Sequence, residues 1–169
     1  VTAVGIMTFN YPVVLPLFAQ RDLDSGEGTY TLLLSVMSVG SVIGGLAIAR
    51  RTHVRTRFLA VATVALAVAS FALAVAPTTL TAALLTIPVG VSTMLVNSGA
   101  NTIVQLTATP AMRGRVLAML TVVFIGSAPV GAPIVGWIAE SAGARLALAI
   151  GGVTALLAAL ATLHALRRA

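Results

Sequence analysis

The sequence predicts an all-helical protein that crosses a membrane several times, and three observations lead to that fold class. The chain has 169 residues, of which 59% are hydrophobic and only 8% are charged. Its mean hydropathy of +1.07 is far too high for a water-soluble domain of this size. The few charges fall in short clusters that separate long uncharged stretches. A lipid bilayer is therefore the environment that the composition predicts.

Six of the uncharged stretches are long enough to cross a bilayer. They have between 19 and 27 residues, and a helix needs about 20 to span a hydrocarbon core about 30 Å thick. The predicted helices occupy residues 1–19, 29–49, 58–76, 80–106, 116–139 and 146–166. The sequence thus predicts a single six-helix transmembrane bundle. Because Val1 already lies inside an apolar run with no basic region before it, we expect the chain to be a fragment.

The arginines predict how the bundle is oriented. All ten basic residues are arginine, and eight of them lie in the second and fourth connections or after the sixth helix: Arg50, Arg51, Arg55, Arg57, Arg113, Arg115, Arg167 and Arg168. Only Arg21 and Arg145 lie at the other helix ends. The positive-inside rule therefore predicts that those two connections and both termini face the cytoplasm. This accounts for the net charge of +6 without a nucleic-acid partner, and we favour it over anionic lipid binding at residues 50–57.

The order of helix types repeats after three helices. The first and fourth segments contain prolines and amides, the second and fifth contain closely spaced glycines, and the third and sixth are rich in alanine. Because three is odd, the second triplet enters the membrane from the opposite side. The pattern predicts an inverted three-plus-three repeat, which is common in secondary transporters. The alternative is that alanine-rich membrane helices resemble one another by composition alone.

The fourth segment carries its polar side chains on one face. At 100° per residue, Thr93, Asn97, Asn101 and Gln105 fall within an arc of about 120°. Amides are costly against lipid, so this face must meet protein or a water-filled cavity. Because three amides on one helix exceed what packing requires, we favour a substrate cavity over simple bonding to neighbouring helices.

Prolines interrupt the first and fifth predicted helices. In the first, Asn10 and Tyr11 stand beside Pro12 and Pro16, and each proline removes a backbone donor and bends the helix. A bend beside an amide and a phenol predicts a substrate pathway or gate, with a static kink as the alternative. The fifth segment combines small residues with prolines, which permits close packing and hinge motion: Gly126, Gly131, Pro133 and Gly136.

Several kinds of chemistry are not expected. The chain has no cysteine and two isolated histidines, His53 and His164, so we expect no thiolate, disulfide or metal site. No spacing of serine, histidine and acid suggests a hydrolase. None of the six stretches contains a carboxylate, and any proton coupling is expected to use residues outside this segment. The sequence predicts neither an enzyme nor a resident cofactor.

A resemblance to a known family adds to this interpretation. The run from Pro110 through Arg113-Gly114-Arg115, preceded by Asn101 to Gln105 and followed by residues 126–137, resembles the tenth and eleventh helices of the major facilitator superfamily. The likeness is to bacterial drug and siderophore exporters, the branch that includes the enterobactin exporter. It covers essentially the whole chain as the C-terminal six-helix half of a twelve-helix transporter.

The resemblance implies a function and roles for residues. It implies secondary active transport by alternating access in a bacterial cytoplasmic membrane, with export of a drug-like compound or siderophore, and an N-terminal six-helix half as partner. Cavity-lining positions would be Asn10, Tyr11, Asn97, Asn101 and Gln105, and Arg113, Gly114 and Arg115 would belong to a loop that helps to latch the two halves. The alternatives are a permease subunit of an ATP-driven transporter and a membrane scaffold that transports nothing.

Overall fold

The computed structural model describes residues 11–22, 27–51, 56–109, 111–126 and 128–168, and every element in these ranges is helical. The elements are α1 (Tyr11–Leu17) followed by a π-helical turn (Phe18–Asp22), α2 (Glu27–Ala49), α3 (Thr56–Ala74), α4 (Thr79–Thr107), α5 (Arg113–Gly126), α6 (Ala128–Ala142) and α7 (Ala144–Arg168). This confirms the prediction of an all-helical protein for the described part of the chain.

Four helices in the described part are long and apolar enough to cross a membrane. They are Gly28–Ala49, Thr56–Ala74, Thr79–Thr107 and Ala144–His164. They overlap the second, third, fourth and sixth predicted segments. More than half of the first segment, residues 1–10, lies outside the described residues. Multiple membrane spans are therefore established, whereas the number six and the inverted repeat stay predictions.

The fifth predicted segment, residues 116–139, is helical throughout its described residues. Two helices of 14 and 15 residues, α5 and α6, cover it, with position 127 outside the described residues. Pro129 lies in the first turn of α6, where its missing N–H needs no partner. Pro133 lies inside α6 and cannot donate to the carbonyl four residues earlier.

Two tight connections begin α4 and α7. At Thr78, the side-chain hydroxyl accepts from the Thr81 N–H at 3.3 Å, and the Thr81 hydroxyl accepts from the Thr78 N–H at 3.1 Å. This capping box satisfies two otherwise unpaired donors at the start of α4. Between α6 and α7, Gly143 has a φ of +96°, a left-handed conformation that glycine adopts without strain. A capping box and a left-handed glycine thus explain why the chain reverses direction at these two connections.

The helix α4 lies at the centre of the packing. It packs along α2 on one side and along α3 on another, while α3 also packs along α7. The helix α6 contacts α7 and α1, and α5 contacts α4 and α6. The largest fully buried side chains come from several of these helices and include Phe18, Leu33, Leu66 and Val89. The core therefore draws side chains from α1, the π-helical turn, α2, α3, α4, α6 and α7.

The outward faces of the helices are apolar. Along α3 and just after its end, three valines recur at seven-residue spacing and are each more than 60% exposed: Val61, Val68 and Val75. Water would oppose such a surface, whereas hydrocarbon chains accept it. This exposure agrees with the membrane spans.

The connections gather at two ends of the bundle. Arg21 donates to the Glu140 carbonyl and Arg145 donates to the Ala76 carbonyl, both at 2.9 Å, which brings the first, third and fifth connections together. We call the described residues among 20–28, 75–79 and 140–145 the opposite end, and the described residues among 50–57, 107–115 and 164–168 the arginine-rich end. A methyl group built on Gly99 would lie within 4 Å of the Leu59 and Ile48 side chains, so the second half of α4 approaches the arginine-rich end.

Candidate functional site

The polar face predicted on α4 runs from the middle of that helix to the arginine-rich end. The helix has 29 residues and Thr93 is its central one, so Asn97 and Asn101 lie about 6 and 12 Å further along its axis. Thr93, Asn97 and Asn101 are half-buried, and Gln105 is exposed. We call these four residues the polar stripe. Its exposure increases toward the arginine-rich end.

Before the stripe, the same face of α4 is sealed by α2. A methyl group built on Gly90 would collide with the Met37 carbonyl oxygen and would lie 3.0 Å from the Ser41 nitrogen. The Ser41 hydroxyl lies 3.1 Å from the Met37 oxygen and 3.4 Å from the Gly90 oxygen. The two backbones therefore touch directly, and no side chain fits between them.

Two glycines of α2 make the reciprocal contact. A methyl group on Gly40 would collide with the Ile87 carbonyl, and one on Gly44 would lie 2.6 Å from the Val91 oxygen. Gly40 and Gly44 are four residues apart and so lie on one face of α2. Small residues at this spacing let membrane helices approach closely. The interface explains why glycines cluster in the second segment.

The two asparagines of the stripe bind each other. The Asn101 amide nitrogen donates to the Asn97 backbone oxygen at 3.0 Å and to its side-chain Oδ1 at 2.9 Å. Residues four apart on a helix are placed for this bond. Within the described residues, the Asn97 amide N–H and the Asn101 Oδ1 have no partner. The pair therefore leaves a donor and an acceptor available on the α4 surface.

Thr93 adds an unpaired hydroxyl one turn before Asn97. Its Oγ1 is buried and has no hydrogen-bond partner in the described part of the chain. Most threonines in helices donate to a carbonyl of their own helix, as Thr63 does to Leu59 and Thr102 to Ser98, both at 2.8 Å. The exception at Thr93 places an unsatisfied polar group at the middle of α4.

Tyr11 lies inside the bundle. It is only 5% exposed, and its hydroxyl is 2.9 Å from the Ser70 Oγ of α3. Because the single hydroxyl proton of Ser70 is donated to the Leu66 carbonyl, the Tyr11 hydroxyl must be the donor to Ser70. The structure thus uses Tyr11 to join α1 to α3. Asn10, predicted with it as a cavity residue, lies outside the described residues.

The prolines of the first segment flank a change of helix type. Pro16 lies inside α1, and the backbone continues two residues later as the π-helical turn Phe18–Asp22. Pro12 is exposed in the first turn of α1. An irregular turn just after a proline is an expected response to the lost backbone donor.

The small residues of the fifth segment have different surroundings. Gly131 is buried, Gly136 is half-buried, and Gly126 and Pro133 are exposed. A methyl group on Gly136 would lie 3.5 Å from the Val13 side chain, so this glycine faces α1 at an ordinary packing distance. The structure assigns a contact between α1 and α6 to this region.

The predicted latch residues lie at the start of α5. Arg113, Gly114 and Arg115 are all exposed, and nothing lies within 4 Å of a methyl group built on Gly114. No hydrogen bond or ion pair joins the side chain of either arginine to another described residue. The described residues also contain no group of histidines and acids that could hold a metal ion.

The comparison with protein families gives one finding. A family model described as a transmembrane secretion effector matches residues 2–168. No curated protein and no solved structure matches the chain. The family match confirms the resemblance to the major facilitator superfamily.

Proposed function

Because the chain belongs to the transmembrane secretion effector family of the major facilitator superfamily, we propose that it exports a small molecule by secondary active transport. The family supports membrane transport in general. The observation that carries the proposal is the polar stripe of α4, which leaves unpaired polar groups at Thr93, Asn97 and Asn101. The exported molecule would be a drug-like compound or a siderophore in a bacterial cytoplasmic membrane.

The membrane environment makes unpaired polar groups energetically costly. An amide or hydroxyl without a partner costs several kcal/mol in hydrocarbon, roughly 4 to 8 on a cyclohexane scale. The part of the stripe that is not buried, at Asn97, Asn101 and Gln105, must therefore face water or a ligand. Transporters of this kind bind substrate near the bilayer midplane, and Thr93 is the central residue of α4. We therefore assign substrate binding to Thr93, Asn97, Asn101 and Gln105.

The gradient of exposure indicates an access route. The face of α4 is completely buried at Thr86, half-buried at Asn97 and exposed at Gln105. The pathway therefore opens at the arginine-rich end, which the positive-inside rule assigns to the cytoplasm. We take this opening as the cytoplasmic entrance of an alternating-access transporter.

The packing of the helices supports the inverted repeat that such a cycle uses. An inverted repeat relates the first predicted segment to the fourth, the second to the fifth and the third to the sixth. In helix labels, α1 is then equivalent to α4, α2 to α6 and α3 to α7. The α2–α4 pair is therefore equivalent to the α6–α1 pair, the α3–α4 pair to the α7–α1 pair, and the α3–α7 pair to itself. All of these pairs are in contact. The same pairing in both triplets is what an inverted repeat predicts.

Three further parts of the mechanism are the rocking motion, the latch between the two halves and the flexible helix positions. The bundle rocks against an N-terminal six-helix half, which supplies the other cavity wall and any proton-coupling carboxylate. Arg113, Gly114 and Arg115 contact that half as part of a latch. Flexibility comes from the proline and glycine positions of the first and fifth segments: Pro12, Pro16, Gly126, Gly131, Pro133 and Gly136.

Transport assays on the full-length protein test the assignment. We expect the double variant Asn97→Ala/Asn101→Ala to lower efflux about tenfold, because one lost hydrogen bond to substrate costs about 1.4 kcal/mol. Efflux is measured in cells with ethidium and with a catecholate siderophore as probes, at matched amounts of membrane-inserted protein.

Thr102→Ala is the matched control. Thr102 lies on the same helix and is half-buried, but its hydroxyl already donates to the Ser98 carbonyl. Efflux should therefore stay at the wild-type level in this variant. Wild-type efflux of a transported probe by the double asparagine variant would refute the role of the stripe.

A further inference from the structure

The arginines at the opposite end are used within the protein. Arg21 donates to the Glu140 carbonyl in the last turn of α6, and Arg145 donates to the Ala76 carbonyl just after α3. The Arg145 guanidinium also lies 6.0 Å from the centroid of the Phe18 ring. The final carbonyls of a helix have no partner within it and carry partial negative charge. Both arginines therefore stabilise helix ends.

The arginines at the arginine-rich end are used differently. Five have a described side chain, and all five are exposed: Arg50, Arg51, Arg57, Arg113 and Arg115. None of these five side chains makes a hydrogen bond or ion pair with another described residue. The Arg51 guanidinium lies 4.6 Å from the centroid of the Phe58 ring, a contact that leaves its N–H donors available.

The distribution of acids makes the contrast stronger. In the sequence, all four acidic residues lie in the first and fifth connections: Asp22, Asp24, Glu27 and Glu140. The second and fourth connections and the residues after the sixth predicted helix hold eight arginines and no acid, so the formal charges of the two sets are +8 and −2. No acidic residue of the same connections neutralises these guanidinium groups.

The surroundings of these arginines identify the anion that fits them. Exposed apolar side chains stand close by in sequence: Leu46 precedes Arg50 by one helical turn, and Met112 precedes Arg113 directly. The guanidinium groups therefore lie where hydrocarbon gives way to the polar headgroup layer. Guanidinium pairs with phosphate through two parallel hydrogen bonds.

We propose that the arginine-rich end binds the headgroups of anionic phospholipids, with Arg50, Arg51 and Arg57 as the principal ligands. The occupant is a lipid such as phosphatidylglycerol, whose chains lie against the exposed aliphatic side chains of α2. Basic residues near an anionic leaflet each strengthen binding about fivefold. This inference does not depend on the proposed transport function.

The test measures lipid binding to the purified full-length protein in detergent. Fluorescent phosphatidylglycerol and phosphatidylcholine with identical chains are titrated separately. We expect tighter binding of phosphatidylglycerol, and a loss of at least about fivefold in its affinity in Arg50→Gln/Arg51→Gln/Arg57→Gln, with phosphatidylcholine affinity unchanged. High salt should reduce the preference as well. Detergent removes the effect of these arginines on membrane orientation, and an unchanged melting temperature verifies that the variant is folded.

Arg21→Gln and Arg145→Gln are the matched controls. They should lower the melting temperature, because helix-end carbonyls lose their donors, and leave the lipid preference as in wild type. Equal affinities of the wild type for the two lipids would overturn the proposal and leave the charge as a determinant of topology alone. Displacement of phosphatidylglycerol by an equal concentration of inorganic phosphate would overturn it too, because free phosphate would then be the ligand.

Discussion

Two helix pairs of this bundle use glycine in different ways. Between α2 and α4, a methyl group added to Gly90 would meet the backbone of Met37. Between α3 and α7, a methyl group added to Gly152 would meet the ring of Phe71 at 3.0 to 3.2 Å. A backbone carbonyl held in a helix cannot move aside, whereas a half-buried ring can rotate. The same residue type therefore fixes one interface and only adjusts the other.

This difference bears on where the polar stripe is held. Because α2 and α4 touch through their backbones, any displacement of α4 carries α2 with it. The stripe thus belongs to a rigid pair of helices. The α3–α7 pair has side-chain contacts that can be repacked, and it supports this rigid pair from the α3 side of α4.

The largest effect is expected for Gly90→Ala. The new methyl group must push α2 away from α4, and overpacking of this kind typically costs 1 to 3 kcal/mol. We expect a loss of about 2 kcal/mol in the free energy of unfolding, measured by titration with denaturing detergent. The control is Gly45→Ala, whose methyl group would lie 3.6 Å from the flexible end of Met94 and should change stability by less than about 0.5 kcal/mol. Equal stability of Gly90→Ala and wild type would contradict the backbone contact.

A smaller effect is expected for Gly152→Ala. The Phe71 ring can turn away from the new methyl group, so we expect a loss of about 1 kcal/mol. Adding Phe71→Leu should remove most of the steric conflict, and a double-mutant cycle in the same titration measures this coupling. The absence of coupling would show that the Phe71 side chain does not determine the cost at Gly152, and that the α3–α7 interface is not more adaptable than the α2–α4 interface. No side-chain substitution can relieve the conflict at Gly90, because its partner is backbone.

The smallest effect is expected for Ser41→Ala. The Ser41 hydroxyl lies close to the carbonyls of Met37 and Gly90, and interhelical hydrogen bonds in membranes contribute about 0.6 kcal/mol on average. A loss of about 0.5 kcal/mol is expected in unfolding measurements. Ser38→Ala serves as the control, since the Ser38 hydroxyl donates only within α2, to Leu34. A loss above about 2 kcal/mol for Ser41→Ala would mean that this bond, rather than glycine packing, holds α2 to α4.

The spans could be predicted where hydropathy alone determines them. Residues 29–49 and 80–106 lie within α2 and α4, because long apolar runs have no other stable form in lipid. The π-helical turn Phe18–Asp22 could not be predicted in this way. There the run stays uncharged up to Gln20, while Pro16 removes a backbone donor just before the turn.

The candidate site shows a similar limit to prediction. The common face of Thr93, Asn97 and Asn101 follows from helical periodicity, and the bond between the two asparagines follows from their spacing of four. The bond from Tyr11 to Ser70 joins residues 59 positions apart. Periodicity cannot predict such a pairing, because it depends on which helices become neighbours. Glycine spacing similarly predicts a close approach of α2 without naming α4 as its partner.

The two arginine contacts of the opposite end have a consequence for biogenesis. Arg21 and Glu140 are 119 residues apart in the chain, and Arg145 and Ala76 are 69 apart. At roughly 5 to 20 residues per second of synthesis, Ala76 waits about 3 to 14 s for Arg145 to be made, and Arg21 waits longer for Glu140. While Ala76 waits, α1 to α3 are already present and α4 to α6 are being made, and the helix ends at this side lack these donors. The opposite end therefore closes last, when α6 and α7 arrive from the ribosome.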